Sequence, residues 1–504
     1  MLNNYNIKKD NVYFSCIFIL LALIPFVIYL KGALSPDEGF YILKAYSILE
    51  GSVGNNDYYT IGMYPLFYHL LGLIFYIFGK SFYFARIFTF SFNAIAGILV
   101  YFIGKKIYNT NIGRMSSVLF LISVYNPLYE GYYALIEPFM LTFGLLGFYI
   151  FIRAKKNMEF LLTGMLIACS TLCKINGILF LITIVIFFFL KFCLFKNDNI
   201  DATKFSIKNL ILVFSGFLLV IFIGGFYFWV SGSLNTYIIP IFSFIQDYGS
   251  SLSIKAMIKQ FAYFPIIWIF FAVSFIPIAY KTYTRKIDDY ELFLILWTAM
   301  FFGNLIIRNY GHYYIPLLAP ICILVSISLI KILPIIHPNE IKSSIMKTDY
   351  RKIFAILCLS GIILFSFSLM IYIGYNLQED RLDRFEDQIK VSEFIKSNTL
   401  ENERILSFSF DPSIYILSDR APVQSSTRFL YVGNPYIKSI EDEYSAIEEI
   451  KQNNVNYIVI SKDRIIDGKS LQSPLIYTFI LDNYTKIDSI GMHEIYLRNE
   501  VYSK

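Results

Sequence analysis

Charge is scarce in this chain. Of its 504 residues only 16% are Asp, Glu, Lys or Arg, where a soluble globular protein carries about a quarter. With 56% hydrophobic residues and a mean hydropathy of +0.57, that deficit excludes an ordinary water-soluble domain. Cysteine is sparse too. The six cysteines (Cys16, Cys169, Cys173, Cys193, Cys322, Cys358) all lie in or beside apolar stretches, and the tail from Asn376 has none. This argues against a disulfide framework and against a cysteine-based metal site. Only three tryptophans occur, none of them in the tail. No glycine-rich phosphate loop is present, so a nucleotide-bound donor has no recognisable site. Internal repeats and low-complexity linkers are also lacking. Nothing points to a nucleic-acid partner, because the net charge of +6 carries meaning only through where it falls.

What the chain does have is a succession of long apolar runs. Candidate spans fall near 12–30, 85–103, 115–129, 136–152, 159–173, 176–195, 209–230, 261–280, 291–307, 312–330 and 353–375. That makes about 11 membrane helices by the length criterion. The first run is long for a signal-peptide core and reads as a start anchor. A further run, Met63 to Phe78, is shorter and contains Pro65, His69 and Gly72. If it lies at the interface instead of spanning, the basic connections alternate cleanly: Lys8, Lys9, Lys105, Lys106, Arg114, Arg153, Lys155, Lys156, Lys191, Lys196, Lys204, Lys208, Lys281, Arg285, Lys286, Lys331, Lys342, Lys347, Arg351 and Lys352 share one side. That is the positive-inside pattern, so the non-spanning reading is preferred. Residues 31–84, 130–137, 231–260 and the junction at Arg308–His312 then face outward, together with everything after 376. The tail changes character. Helical charge patterning in Asp383–Ser397 and Ser439–Asn453 alternates with β-like runs at Ile405–Phe408, Tyr457–Ile460, Thr485–Ile490 and Glu494–Arg498. The expected architecture is a polytopic α-helical membrane domain, 1–375, with interfacial helices and an outer loop at 31–84. An α/β soluble domain, 376–504, follows on the extracytoplasmic side.

The residues assigned to the outer face form a compact chemical set. Asp37 and Glu38 lie in Ser35-Pro36-Asp37-Glu38-Gly39-Phe40, just past the first span. Glu137 opens an apolar run, Arg86 opens the second span, Lys174 sits in a hairpin between spans, Arg308 and His312 flank a late junction, and His69 lies in the interfacial run. Ionisable groups at membrane depth are costly and mark functional positions by default. Cations of this kind would hold a phosphate, and a carboxylate would take a proton from an acceptor. A divalent metal is left open, with Glu38, His69 and His312 as its candidate ligands. Each residue also has a plainer reading. Asp37 can cap a helix, Glu137 can sit on a helix dipole, and Lys174, Arg86 and Arg308 can anchor at the interface. A lone histidine such as His312 most often serves packing.

The order of these pieces resembles the GT-C membrane glycosyltransferases of the protein O-mannosyltransferase and aminoarabinose-transferase type. The resembling segments are Pro36-Asp37-Glu38-Gly39, Tyr64-Pro65-Leu66-Phe67-Tyr68, Ala85-Arg86-Ile87 with Gly104-Lys105-Lys106 after it, Ile136-Glu137-Pro138, Thr171-Leu172-Cys173-Lys174 and His312-Tyr313-Tyr314-Ile315-Pro316. They extend over most of residues 10–330. The resemblance implies a polyprenyl-phosphate sugar donor and a protein, lipid or glycan acceptor. It implies Asp37 as general base with Glu137 as second acid, and Lys174 and Arg86 near the lipid phosphate. It also implies attack on the anomeric carbon from the face opposite the departing phosphate, which inverts it. Glu38, Tyr64, His69, Arg308 and His312 complete the expected substrate-binding set.

The physical account agrees without the family. A lipid phosphate leaves already anionic, so it needs cations more than a general acid. A polytopic transporter or lipid flippase is the rival class; it more often shows repeats and paired broken helices. An oligosaccharyltransferase of the wider group would normally bring a tryptophan-rich motif in its soluble domain, and this tail has no tryptophan.

Overall fold

The computed structural model describes residues 2–49, 65–193, 206–235, 238, 261, 265–284, 287–307, 310–332, 350–408, 411–423, 440–462, 465–466, 469–470 and 473–502. The chain divides into two compact units. Unit 1 comprises Met1–Ile28, Ile87–Tyr227 and Phe244–Asn376, and unit 2 comprises Tyr29–Arg86, Phe228–Ser243 and Leu377–Lys504.

Unit 1 is helical, as it must be for apolar segments whose backbone groups find no water in lipid. Each segment expected to span overlaps a helix among the described residues, although 125–129, expected within a span, lies in turns after helix Thr110–Val124. Among the described residues five are long and apolar enough to cross a membrane: Phe82–Ile107, Ile175–Phe192, Ile207–Val230, Asp289–Ile306 and Gly311–Ile330. Shorter apolar helices include Val12–Ile28, Thr110–Val124, Asn157–Cys173 and Ile267–Ile276. Of the five, Gly311–Ile330 is the most buried. Polar bonds tie it to its neighbours: Ser116 Oγ donates to Ser326 Oγ at 3.1 Å, and the Ser274 and Ser328 hydroxyls are hydrogen-bonded at 2.6 Å. Helices α6 (Glu137–Arg153) and α7 (Asn157–Cys173) form a tight hairpin. Its turn is closed by Glu159, whose Oε2 accepts the backbone N–H groups of Lys155 at 2.6 Å and Lys156 at 2.8 Å. On its other flank α7 meets α9 (Ile207–Val230) with almost no gap. A Cβ on Gly164 would lie 1.9 Å from the Val213 carbonyl oxygen, and one on Gly216 would lie 2.0 Å from that of Leu161. Small residues at such crossings let backbones approach in the way membrane helices favour.

Unit 2 begins with α2 (Pro36–Leu49) and α3 (Pro65–Phe78). The latter is 14 residues, so it reaches only about 21 Å, short of a hydrocarbon core about 30 Å thick. It packs on α2 instead, with Tyr41 edge-on to Phe67 at 5.4 Å and Tyr46 against Phe75 at 4.8 Å. In the tail, β1 (Arg404–Ser407), β2 (Ala421–Pro422), β3 (Tyr457–Ser461), β6 (Tyr484–Ile490) and β7 (His493–Arg498) make one sheet of order β2-β1-β3-β7-β6. The pairs β1–β2 and β1–β3 are parallel, whereas β3–β7 and β6–β7 are antiparallel. The core of this domain gathers Leu406, Ile458 and Ile460 from the strands with Ile447, Ile450, Ile476 and Ile480 from helices Ile440–Gln452 and Pro474–Asn483. Helix Tyr350–Asn398 runs 49 residues without a break through the expected boundary at 376.

Candidate active site

The acidic motif is held by the tightest polar construction in unit 2. Ser35 starts α2: its Oγ accepts the Glu38 N–H at 3.1 Å, and its carbonyl accepts the Gly39 N–H at 2.9 Å. Pro36 follows in the first helical turn, where its fixed φ costs nothing. Asp37 and Glu38 both lie in that turn, where the helix dipole favours anions. Their surroundings differ. Asp37 is half-buried and Glu38 fully buried. Glu38 forms a two-pronged pair with Arg86, Nε to Oε1 at 2.8 Å and Nη2 to Oε2 at 2.6 Å. The other Arg86 donors reach the carbonyls of Leu30, Gly32 and Ala33, each at 3.0 Å. All five guanidinium N–H groups are thus engaged by protein.

A second buried arginine closes the same loop from the other side. Arg381 Nη2 donates to the carbonyls of Tyr29 and Lys31, each at 2.6 Å. Five successive carbonyls, 29 to 33, therefore feed two guanidinium groups in near alternation. Gly32 is required there: its φ is +123°, and a Cβ would lie 2.6 Å from Arg381 Cζ. The loop is then passed on to the tail domain. Leu34 N–H donates to Gln388 Oε1 at 3.2 Å, Gln388 Nε2 donates to Asp411 at 3.1 Å, and His493 Nε2 lies 3.2 Å from the same carboxylate. Ser413 donates to Asp411 through its N–H at 3.1 Å and through its hydroxyl. Burial alone would raise the Asp411 pKa above its ordinary 3.8; the His493 bond and its attraction, with Ser413 and Gln388, outweigh that and lower it.

Unit 1 assembles a different charged group. Glu137 opens α6 with Pro138 behind it, Lys174 ends α7, and His312 lies in the 3-10 turn Gly311–Tyr314. Lys174 Nζ bonds Glu137 Oε1, and its charge lies 3.8 Å from the Tyr313 ring centroid. His312 stands between two acids, Nδ1 to Glu130 Oε2 at 2.7 Å and Nε2 to Glu137 Oε1 at 3.8 Å. An ionised carboxylate only accepts, so Nδ1 carries a proton. Lys174 and Glu137 are almost wholly buried, while Glu130 is 40% exposed in its side chain. The loop that presents Glu130 is pinned by Asn93 Nδ2, which donates to the Gly131 carbonyl at 2.8 Å.

Three of the residues singled out by sequence, Glu137, Lys174 and His312, thus share one cluster, and two others, Glu38 and Arg86, form a second. Asp37 neighbours the latter in the chain. His69 Nδ1 lies 2.6 Å from the Pro65 carbonyl. Tyr64 and Arg308 lie outside the described residues. Among the described residues no three His, Cys, Asp or Glu side chains are grouped to hold a metal ion. Sequence reasoning missed Glu130, Arg381, Gln388 and Asp411. Only Glu130 had a signal, as an acid in the aromatic loop Tyr129-Glu130-Gly131-Tyr132-Tyr133; its φ is +58°.

Residues 64–223 match the family model described as Dolichyl-phosphate-mannose-protein mannosyltransferase. The fold is similar to ArnT from Cupriavidus metallidurans in the apo state, with a TM-score of 0.61 at 12% identity over 97% of this chain and 98% of that one. ArnT bound to undecaprenyl phosphate matches with the same TM-score at 11% identity and equal coverage. The Archaeoglobus fulgidus oligosaccharyltransferase in the apo form matches at 0.59 and 12% identity, over 90% of this chain and 70% of its own. No curated protein matches in sequence. The chain thus shares the fold of these transferases, and the family match is confined to residues 64–223.

Proposed function

We propose that this protein moves a sugar from a polyprenyl-phosphate-linked donor to a protein, lipid or glycan acceptor at the outer membrane face, with Asp37 as general base. The observation that carries the reading is the end-to-end fold match, 97% of this chain on 98% of an ArnT that binds undecaprenyl phosphate. The family match over 64–223 supports the same donor class. In the reaction the acceptor hydroxyl or amine gives its proton to the Asp37 carboxylate and its electron pair to the anomeric carbon. The bond from that carbon to the phosphate oxygen breaks, and the oxygen keeps the pair.

The two acids of the motif take different parts. Asp37 is half-buried and able to meet an acceptor, while Glu38 faces inward on Arg86. Arg86, which the resemblance places near the lipid phosphate, acts in this reading as a positioning residue through Glu38 and the carbonyls of Leu30, Gly32 and Ala33. Lys174 carries the cation for a departing phosphate, Glu137 orients the acceptor, and His312 links Glu137 to Glu130. Tyr64, His69 and Arg308 remain donor contacts by position in the chain.

The test is transfer from a labelled polyprenyl-phosphate sugar in membranes. Asp37→Asn lowers the rate by about 10²–10⁴-fold, the usual worth of a general base, with the unfolding temperature unchanged. Full transfer by this variant sinks the assignment. For the face, cysteines placed at Asn56 and at Glu130 label from the same side of sealed vesicles; labelling from opposite sides refutes the topology.

A further inference from the structure

At the opposite end of α6 from Glu137, unit 1 encloses a cavity of about 810 Å³. Sixteen residue steps separate Glu137 from Arg153, a rise of about 24 Å. The cavity is lined by four cations, Lys106, Arg153, Lys155 and Lys208, against one acid, Glu159. That acid is already occupied with the backbone N–H groups of Lys155 and Lys156. Each lining cation belongs to an end of an apolar helix. Lys106 is in the last turn of Phe82–Ile107, Arg153 closes α6, Lys155 stands just before α7, and Lys208 is in the first turn of α9. Tyr290, one residue into Asp289–Ile307, lines the cavity and sets its ring 5.7 Å below the Lys106 ammonium.

Helix ends of this kind lie at the level of lipid head groups. The positive-inside rule accounts for the sign of these charges but not for their gathering round one concavity, since the adjacent Lys105 and Lys156 are not part of the lining. The rim has the second half of a lipid site. Met158 on α7, three residues from Lys155, and Ile207 and Ile211 on α9, within three residues of Lys208, are exposed apolar side chains, and Leu162 continues the α7 face one turn beyond Met158. A soluble anion has no use for such a flank, whereas acyl chains do. Basic pockets between membrane helices hold anionic head groups through charge-assisted bonds to phosphate.

We infer that this cavity is a binding site for the phosphodiester head group of an anionic membrane lipid, with its acyl chains lying on α7 and α9. The test uses the full chain in detergent and native mass spectrometry, titrated with phosphatidylglycerol, phosphatidylcholine and inorganic phosphate. Wild type retains phosphatidylglycerol in preference to phosphatidylcholine. Lys106→Gln Lys155→Gln weakens that retention about tenfold or more, while Lys105→Gln Lys156→Gln, the same charge change one residue away, leaves it intact. Equal loss in both double variants overturns the proposal, as does equal retention of the two lipids. Displacement of the lipid by inorganic phosphate at equal concentration also overturns it, since the ligand is then a soluble anion. If the first double variant fails to fold, Lys208→Gln with Arg153→Gln gives the same reading from the other two cations.

Discussion

Arg86→Ala is the perturbation that most directly tests the loop construction. The change removes both prongs of the pair with Glu38, whose carboxylate is fully buried. A buried charge left without its partner costs roughly 3–5 kcal/mol. The carbonyls of Leu30, Gly32 and Ala33 each lose a donor at 3.0 Å as well. Water entering the vacated space recovers part of that, leaving on the order of 1 kcal/mol in total. The sum is roughly 4–6 kcal/mol. In a unit of roughly 200 residues each kcal/mol shifts the midpoint by about 2–4 °C, so unfolding moves down by at least about 8 °C. Arg86→Lys keeps the charge but loses the fork and two of five donors, and falls between wild type and Ala. The assay is thermal unfolding of the full chain in detergent, followed by a probe in the tail domain. An Arg86→Ala midpoint within about 3 °C of wild type, close to 1 kcal/mol, would refute the reasoning. A raised KM for the lipid donor with unchanged stability would restore Arg86 to a direct phosphate contact.

Other outcomes follow from the same geometry. Lys174→Met strands Glu137 in a buried site and lowers stability by roughly 3–5 kcal/mol. Lys174→Met combined with Glu137→Leu recovers most of it, and a double variant as unstable as the single shows that the two are not coupled. Asp411 has a depressed pKa when folded, so its contribution is complete above its unfolded value near 3.8 and is lost as pH falls through the folded value. Acid unfolding of the tail below about pH 4 should lose this slope in Asp411→Asn; an identical pH profile contradicts it. Gly164→Ala drives a Cβ into the Val213 carbonyl, forces α7 and α9 apart at a cost of roughly 1–3 kcal/mol, and lowers the fraction of monodisperse protein on size exclusion. Unchanged yield and midpoint mean the close approach is not needed.

Element identity was legible because periodicity is local. The β-like runs at Ile405–Phe408 and Tyr457–Ile460 became strands Arg404–Ser407 and Tyr457–Ser461, and the charge-patterned stretch Ser439–Asn453 became helix Ile440–Gln452. The short Met63–Phe78 run became a helix too short to span upright. What stayed hidden depended on long-range pairing. Glu38 and Arg86 are 48 residues apart and Leu34 and Gln388 are 354 apart, and no local pattern marks either pair. Asp37 has the side chain of a helix cap, yet the cap is Ser35, two residues earlier. The Glu137–Lys174 pairing was missed for a related reason. Only the α6–α7 hairpin brings position 137 beside 174, and no local pattern marks that pairing.

Unit 2 is assembled from stretches far apart in the chain, and that has a consequence during synthesis. Tyr29–Arg86 leaves the ribosome roughly 290 residues ahead of Leu377. At about 5–20 residues per second the early segment waits roughly 15–60 s before Arg381 exists to close on the Tyr29 and Lys31 carbonyls. Through that interval Arg86 and Glu38 are already made, but the Tyr29 and Lys31 carbonyls lack their Arg381 donor. A nascent chain stalled before residue 377 therefore carries the acidic motif in an unfinished state, and the last quarter of the protein decides when its first loop becomes rigid.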